Sequence, residues 1–233
     1  MTSAAPDARV RVLLVDDESL IRMGFRYILG AAEVEAEHPA IEVVGEVGDG
    51  AAAVAFVRAH RPDVVLMDVS MPIMTGLEAT EVIVAESESR VLAMTSLDAE
   101  DQLFRMLEAG ATGYLLKDES PARIVDAVRR TARGDAVVSA LSTAQLVRRA
   151  VAGEGGAGRR VAIDRLGVLT ERERDVAQRV ASGATNQEIG AALHIAAGTV
   201  KSHLEQVFVK LGVRNRVQVG VILERAGLGP LDV

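Results

Sequence analysis

Five short runs of β-branched and other apolar residues recur along the first half of the chain: Val10 to Val15, Ile41 to Val47, Val64 to Met67, Val91 to Met94 and Tyr114 to Leu116. Between them apolar residues return every three or four positions, the spacing of an amphipathic helix. This alternation constrains the fold more than any other feature. Strands separated by helix-length segments run parallel, and a parallel sheet needs helices over both faces. The expected fold is an α/β doubly wound five-stranded parallel sheet, in a domain of residues 1–135. Its last helix is punctuated by Ser120 as a possible cap, Pro121 in the first turn, inward-facing Ile124, Val125 and Val128, and Gly134 as a left-handed stop.

The alternation then ends. A helical stretch follows Ser142 to about Ala152, and AGEGGAGRR places four glycines between Gly153 and Gly158, so residues 136–163 are expected to form a helical and Gly-rich linker. In residues 164–233 every candidate segment is helical. Thr170 with Glu173, and Thr185 with Glu188, form the Thr-x-x-Glu pattern in which two side chains satisfy each other's free backbone N–H groups at a helix start. Gly183 closes the first helix, His194 to Gly198 turns from the second into a third that ends at Gly212, and Asn215 with Gln218 starts a fourth. Short helices cannot bury much alone and must pack together. The expectation is a small all-α helix-turn-helix domain.

Composition narrows the function classes. At 233 residues, with 49% hydrophobic and 25% charged side chains, the chain is globular in composition. No apolar run approaches the roughly 20 residues of a membrane span, and no basic-then-apolar leader opens the sequence, so a cytoplasmic protein without membrane partners is expected. The absence of cysteine excludes disulfides and thiolate metal sites, and His38, His60, His194 and His203 have no ligand spacing. The net charge of -7 argues against nucleic acid only if it is evenly spread. Residues 1–133 carry 13 basic and 23 acidic side chains, residues 134–163 carry 4 and 2, and residues 164–233 carry 9 and 8. The two halves are electrostatically different objects.

Ligands of open parallel sheets sit outside the carboxyl ends of the strands. Here those ends are polar: Asp16 and Asp17 after the first strand, Asp68 after the third, Thr95 and Ser96 after the fourth, Lys117 after the fifth. If the strands are parallel, three carboxylates, a hydroxyl and an ammonium converge. Clustered carboxylates repel one another unless a cation is present, and hard oxygen ligands with open positions suit Mg²⁺. With charge neutralised, Asp68 could act as nucleophile toward a phosphoryl group. Each residue alone reads as a turn residue or a solvated charge; their joint occurrence is the signal.

VLLVDDE, VVLMDVSMPIMTG, VLAMTS and GYLLKD resemble, in order, the motifs of bacterial response-regulator receiver domains. The resemblance implies the strand order 2-1-3-4-5. It implies Asp68 as phosphoacceptor, Asp16 and Asp17 as Mg²⁺ carboxylates together with Asp68, and the backbone carbonyl of Ser70 as a further metal ligand. It also implies Thr95 and Lys117 as partners of the phosphoryl group, and Tyr114 as an aromatic that rotates as Thr95 moves, with core filling as the alternative for Tyr114. The connection Ala31 to Ala40 is longer than usual in that family and reads as a surface insertion.

Residues from Leu169 to Arg216 resemble the DNA-binding domain of the LuxR/NarL/FixJ family. Independently of that resemblance, Val200, Leu204, Val207 and Leu211 form the inner face of the third helix. The opposite face carries Ser202 and Glu205 with Lys201 and Gln206 beside it, and would be offered to a major groove of double-stranded promoter DNA. The resemblance implies that Lys201 contacts bases or phosphate while Thr199 and His203 hold the backbone. Two departures matter. Ala196 and Ala197 stand where the family commonly has Ser-Pro, which removes a side-chain cap worth about 1 kcal/mol. Glu205 is acidic where a polar or basic residue is usual; it could accept from a cytosine amino group or pair with Lys201 one turn earlier.

Weak steering by a near-neutral reader makes a homodimer on DNA the expected binding form. The resemblance implies the last helix, with Val217, Val219 and Val221 near its surface, as the contact, with internal packing as the alternative for these valines. The resemblance further implies a sensor histidine kinase as donor to Asp68. The function expected is thus a non-enzymatic, phosphorylation-controlled transcriptional regulator. Two alternatives are an atypical receiver that controls DNA binding without phosphate, and an aspartyl phosphotransfer enzyme of the haloacid-dehalogenase type. The enzyme usually needs a second acid where Ser70 stands, and it leaves residues 164–233 unexplained.

Overall fold

The computed structural model of the chain describes residues 9–32, 39–95, 105–135 and 156–228. His38, Ser96, most of the Ala31 to Ala40 connection, the stretch Ser142 to Ala152 and Gly153 lie outside these residues. The chain divides into two compact units between Val137 and Val138.

The first unit alternates β1 (Val10–Val15), α1 (Ser19–Gly30), β2 (Ile41–Val47), α2 (Gly50–His60), β3 (Val64–Asp68), α3 (Gly76–Glu86), β4 (Arg90–Thr95), β5 (Gly113–Leu116) and α4 (Pro121–Arg133). The strands form one parallel sheet in the order β2-β1-β3-β4-β5. β3 and β4 are buried almost throughout because helices cover both faces of the sheet, which is why they read as unbroken apolar runs. On one face Phe25 and Leu29 of α1 meet Ile124, Ala127 and Val128 of α4 over Val12, Leu14, Leu66 and Leu92. Helix starts follow local chemistry. The Asp49 carboxylate accepts from the Ala52 N–H, and Thr75 with Glu78 forms a full capping box on α3. Ser120 does not behave as expected: α4 starts at Pro121 and Ser120 makes no side-chain cap bond. Pro121 at the first helical position presets the helical φ and removes one of the N–H groups that a helix start leaves unpaired, so the helix begins without that cap. Gly134 closes α4 at φ +84°, as its sequence position suggested.

The second unit packs α5 (Gly156–Leu166), α6 (Glu171–Ala181), α7 (Asn186–Leu193), α8 (Ala197–Leu211) and α9 (Arg216–Arg225) around one core. Both Thr-x-x-Glu boxes form, and Asn215 caps α9 by accepting from the Gln218 N–H. Two readings change. The segment 136–163 is not linker to its end: α5 begins inside the glycine run and buries Ala162 and Leu166 in the core of this unit. Glycine weakens a helix by about 1 kcal/mol per residue, but packing of the apolar side chains that follow overrides it. Val219 is fully buried against that core, so of the three valines only Val217 and Val221 are partly exposed.

Candidate functional site

Parallel register assembles the acidic site. Val15 lies beside Met67 and Asp68 beside Met94, so the residues that follow β1 and end β3 emerge side by side at the carboxyl edge. At the other side of the sheet Thr95 pairs with Leu116, and the Lys117 N–H donates to the Thr95 carbonyl at 3.0 Å. Asp16 is fully buried, Asp68 and Thr95 nearly so, and Asp17 is exposed. Carboxylate oxygens of Asp16, Asp17 and Asp68 lie within 4.8 Å of one another. The Lys117 ammonium bridges two of them, 2.8 Å from Asp16 Oδ2 and 3.0 Å from Asp68 Oδ1.

Three carboxylates against one ammonium leave the cluster two charges negative. Burial pushes the Asp68 carboxyl above the usual carboxylate range despite the opposing pull of Lys117. Burial also works against the charged form of Lys117, but its bonds to Asp16 and Asp68 outweigh it and raise the ammonium above its ordinary value. Such an edge suits a hard divalent cation: oxygen donors, a charge deficit of two, and one exposed carboxylate on the open side. A groove of about 500 Å³ opens there, lined among others by Asp17, Ser70, Thr75 and Arg105.

Of the strand-end and receiver residues singled out in the sequence, all but Ser96 are described. Asp16, Asp17, Asp68, Thr95 and Lys117 gather at the strand ends, exposed Ser70 lies two residues beyond β3, and Tyr114 is half-buried in β5 opposite Ala93. The structure adds Gly76 and Arg22 to the site. The Gly76 N–H donates to the Val69 carbonyl at 3.1 Å, and a Cβ there would stand 1.9 Å from the Asp68 carbonyl oxygen, so any side chain would push the loop off the acidic residue. A glycine right after a Thr cap was the available signal. Arg22 on α1 donates to the Asp16 carbonyl, a contact with no sequence signature.

In the second unit α8 buries Val200, Leu204, Val207 and Leu211, and turns Thr199, Lys201, Ser202, Glu205 and Gln206 to solvent, with His203 half-buried. Ala196 provides no side-chain cap, as its alanine predicts. Among the described residues no ion pair joins Lys201 to Glu205; the pairing alternative for Glu205 is not realised. The turn into α8 is tight: a Cβ on Gly190 would meet the Ile195 carbonyl at 2.7 Å. The helix thus presents one polar face about 22 Å long at 1.5 Å per residue, of the size a major groove accepts.

Comparison with known proteins agrees with both halves. The sequence profile described as the response regulator receiver domain matches residues 12–129. That of the bacterial regulatory proteins of the luxR family matches residues 167–223. The chain is similar to the uncharacterized transcriptional regulatory protein YxjL of Bacillus subtilis (strain 168), 34% identical over 94% of this chain and 97% of the relative. It is also similar to the nitrate/nitrite response regulator protein NarP of Escherichia coli (strain K12), 36% identical over 91% of this chain and 93% of the relative. Among solved structures, response regulator ChrA of a heme-sensing two-component system aligns over 94% of this chain and 98% of its own, with 30% identity and a TM-score of 0.50.

Proposed function

The chain belongs to the two-component response regulators that join a receiver to a luxR-type DNA-binding domain and regulate transcription, and from that premise we propose that Asp68 is its phosphoacceptor. The observation that carries the proposal is the Lys117 ammonium held between Asp16 and Asp68 at the carboxyl edge of the sheet. In this reading a sensor histidine kinase donates the phosphoryl group. An oxygen of Asp68 attacks phosphorus, the bond to the donor nitrogen breaks, and the electron pair leaves with the donor imidazole. Asp16, Asp17, Asp68 and the Ser70 carbonyl would hold Mg²⁺, which when bound supplies positive charge to the phosphoryl oxygens. Lys117 supplies a second positive charge from the sheet side, and the Thr95 hydroxyl would donate to the added phosphate. The new charge draws Thr95 and Lys117 toward Asp68, and Tyr114, two positions from Leu116 in the paired strand, follows Thr95.

The reader's part is binding of promoter DNA as a homodimer through Thr199, Lys201, Ser202, His203 and Glu205 on the open face of α8. No described helix is long and apolar enough to cross a membrane, in keeping with a cytoplasmic regulator.

Incubation with Mg²⁺ and a small phosphodonor should label the wild type and leave Asp68→Asn unlabelled; label persisting in the variant refutes the assignment. The same substitution should raise the melting temperature of the metal-free receiver by a few degrees. A carboxyl whose pKa is raised by burial is costly in its ionised form at neutral pH, and the amide removes that cost. With saturating Mg²⁺ the gain should vanish.

A further inference from the structure

In the second unit, four of the five described helices have an arginine from another element on a carbonyl at their carboxyl end. Arg174 reaches Leu166 of α5, Arg172 reaches Leu193 of α7, Arg165 reaches Leu211 of α8 and Arg159 reaches Ala226 at the end of α9, while Arg216 holds the Ala184 carbonyl just before the Thr185 cap of α7. A guanidinium is suited to this, because the last carbonyls of a helix lack partners and carry partial negative charge. Two of the five arginines, Arg159 and Arg165, come from α5, the helix that begins inside the glycine run and was expected to belong to the linker.

We infer that α5 is a positioning element of the DNA reader and that Arg165 is the residue through which it sets the angle of α8. The inference rests on the proposal that α8 enters the major groove. α8 has no side-chain cap at its amino end, where a recognition helix meets base edges, and is tied at its carboxyl end by Arg165 on Leu211 and by Lys210 on Glu173 of α6 at 2.6 Å. A helix of this length is a lever: at 1.5 Å rise per residue, a tilt of about 5° about the tied end moves the amino end by about 2 Å. Base contacts need sub-ångström placement and feel such a tilt, whereas contacts made by charge alone tolerate it. Arg165 therefore governs specific binding without touching DNA, and any displacement of α5 acts on recognition through that bond.

The test uses the full chain and two duplexes, one selected by the wild-type protein from a randomised pool and one of random sequence, with affinity measured across a salt series. Arg165→Met should weaken binding to the selected duplex about tenfold, the loss of one hydrogen bond from a charged donor, and leave the random duplex and the slope of affinity against salt unchanged. Arg165→Lys should restore most of the loss. Equal weakening on both duplexes with a slope reduced by about one would mean that Arg165 contacts phosphate, and would overturn the inference, as would unchanged binding. A purely structural role would lower the melting temperature without altering the ratio of specific to random affinity, which also counts against it. If Arg165→Met does not fold, Arg159→Met, which frees the other end of α5, must show the same selective loss. Lys201→Ala keeps the underlying reading separate: if it leaves the selected duplex bound as before, the groove assignment of α8 fails, whereas if it weakens binding and Arg165→Met does not, only the role of Arg165 fails.

Discussion

The receiver and the reader use charge in opposite ways. The receiver gathers Asp16, Asp68, Asp17 and Lys117 at one sheet edge, with two of the carboxylates buried, and so keeps an electrostatic deficit where chemistry can use it. The reader spreads its cations over backbone carbonyls: four arginines on the carbonyl ends of other helices, and Arg216 on Ala184 in the connection before α7. Counted from Gly156, where its first helix begins, the reader holds 11 basic and 8 acidic side chains, against 13 and 23 in residues 1–133. The comparison teaches that the acidity of the whole chain belongs to the switch. The reader's modest positive charge is largely spent on its own architecture, which leaves little for steering to DNA.

The most severe way to disturb that contrast is Lys117→Met. It leaves Asp16 and Asp68 facing each other without their ammonium and should destabilise the receiver by about 3 kcal/mol, because an unpaired buried charge costs more than the pair gained. In chemical denaturation with separate probes, the reader's transition should stay in place; a shift of both would mean that the two units unfold as one.

The corresponding change in the reader is milder. Lys210→Met removes the two bonds to Glu173, at 2.6 and 2.8 Å, and should cost about 1 kcal/mol, since the lysine is one-third exposed and partly screened. The pH dependence has a definite sign. The bond to Lys210 holds the Glu173 carboxyl below the usual range, so its contribution is present above the ordinary carboxylate pKa and lost as pH falls through the lowered one. Wild type and Lys210→Met should converge in stability on acidification, and a gap that stays constant to low pH would break this account.

Smaller still is the strain at Ile73, in the loop between β3 and α3. This β-branched residue sits at φ +69° with its side chain 88% exposed, so it bears the steric cost of the left-handed region without compensating burial. Ile73→Gly should stabilise the receiver by about 0.5 kcal/mol in a urea titration, the relieved strain less the larger unfolded-state entropy of glycine. Equal or lower stability would show that the side chain makes up for its backbone elsewhere. Last, Glu205→Ala should leave stability within about 0.5 kcal/mol, as for most surface changes, and alter sequence preference or raise non-specific affinity. A base-substitution panel with an unchanged profile would remove Glu205 from the reading face.

Much of this was legible in order along the chain. The β-branched runs became β1 to β5 within a residue or two, and both Thr-x-x-Glu patterns capped the helices they announced. The inner face of α8 followed its 3.6-residue period. These are local signals, in which each residue's neighbours in sequence are also its neighbours in space. Where the reading needed correction, packing at a distance outweighed local preference. The glycines before Arg159 suggested a flexible tether, yet the core of the second unit draws Ala162 and Leu166 into a helix that starts among them. Val219 was one of three valines on a helix with no clear apolar stripe, and only contact with the core selects it from Val217 and Val221.

By itself, then, the sequence determined the alternation of elements, the two electrostatically unlike halves and the polar identity of the strand ends, because periodicity, charge and capping are read from residues close together in the chain. Tertiary structure alone decided that Lys117 bridges Asp16 and Asp68 and that Gly76 must lack a side chain under the Asp68 carbonyl. It also decided that Arg165 ends on α8. These contacts join residues far apart in sequence, or a side chain to a backbone atom, and a backbone carbonyl carries no trace of its partner in the amino-acid sequence.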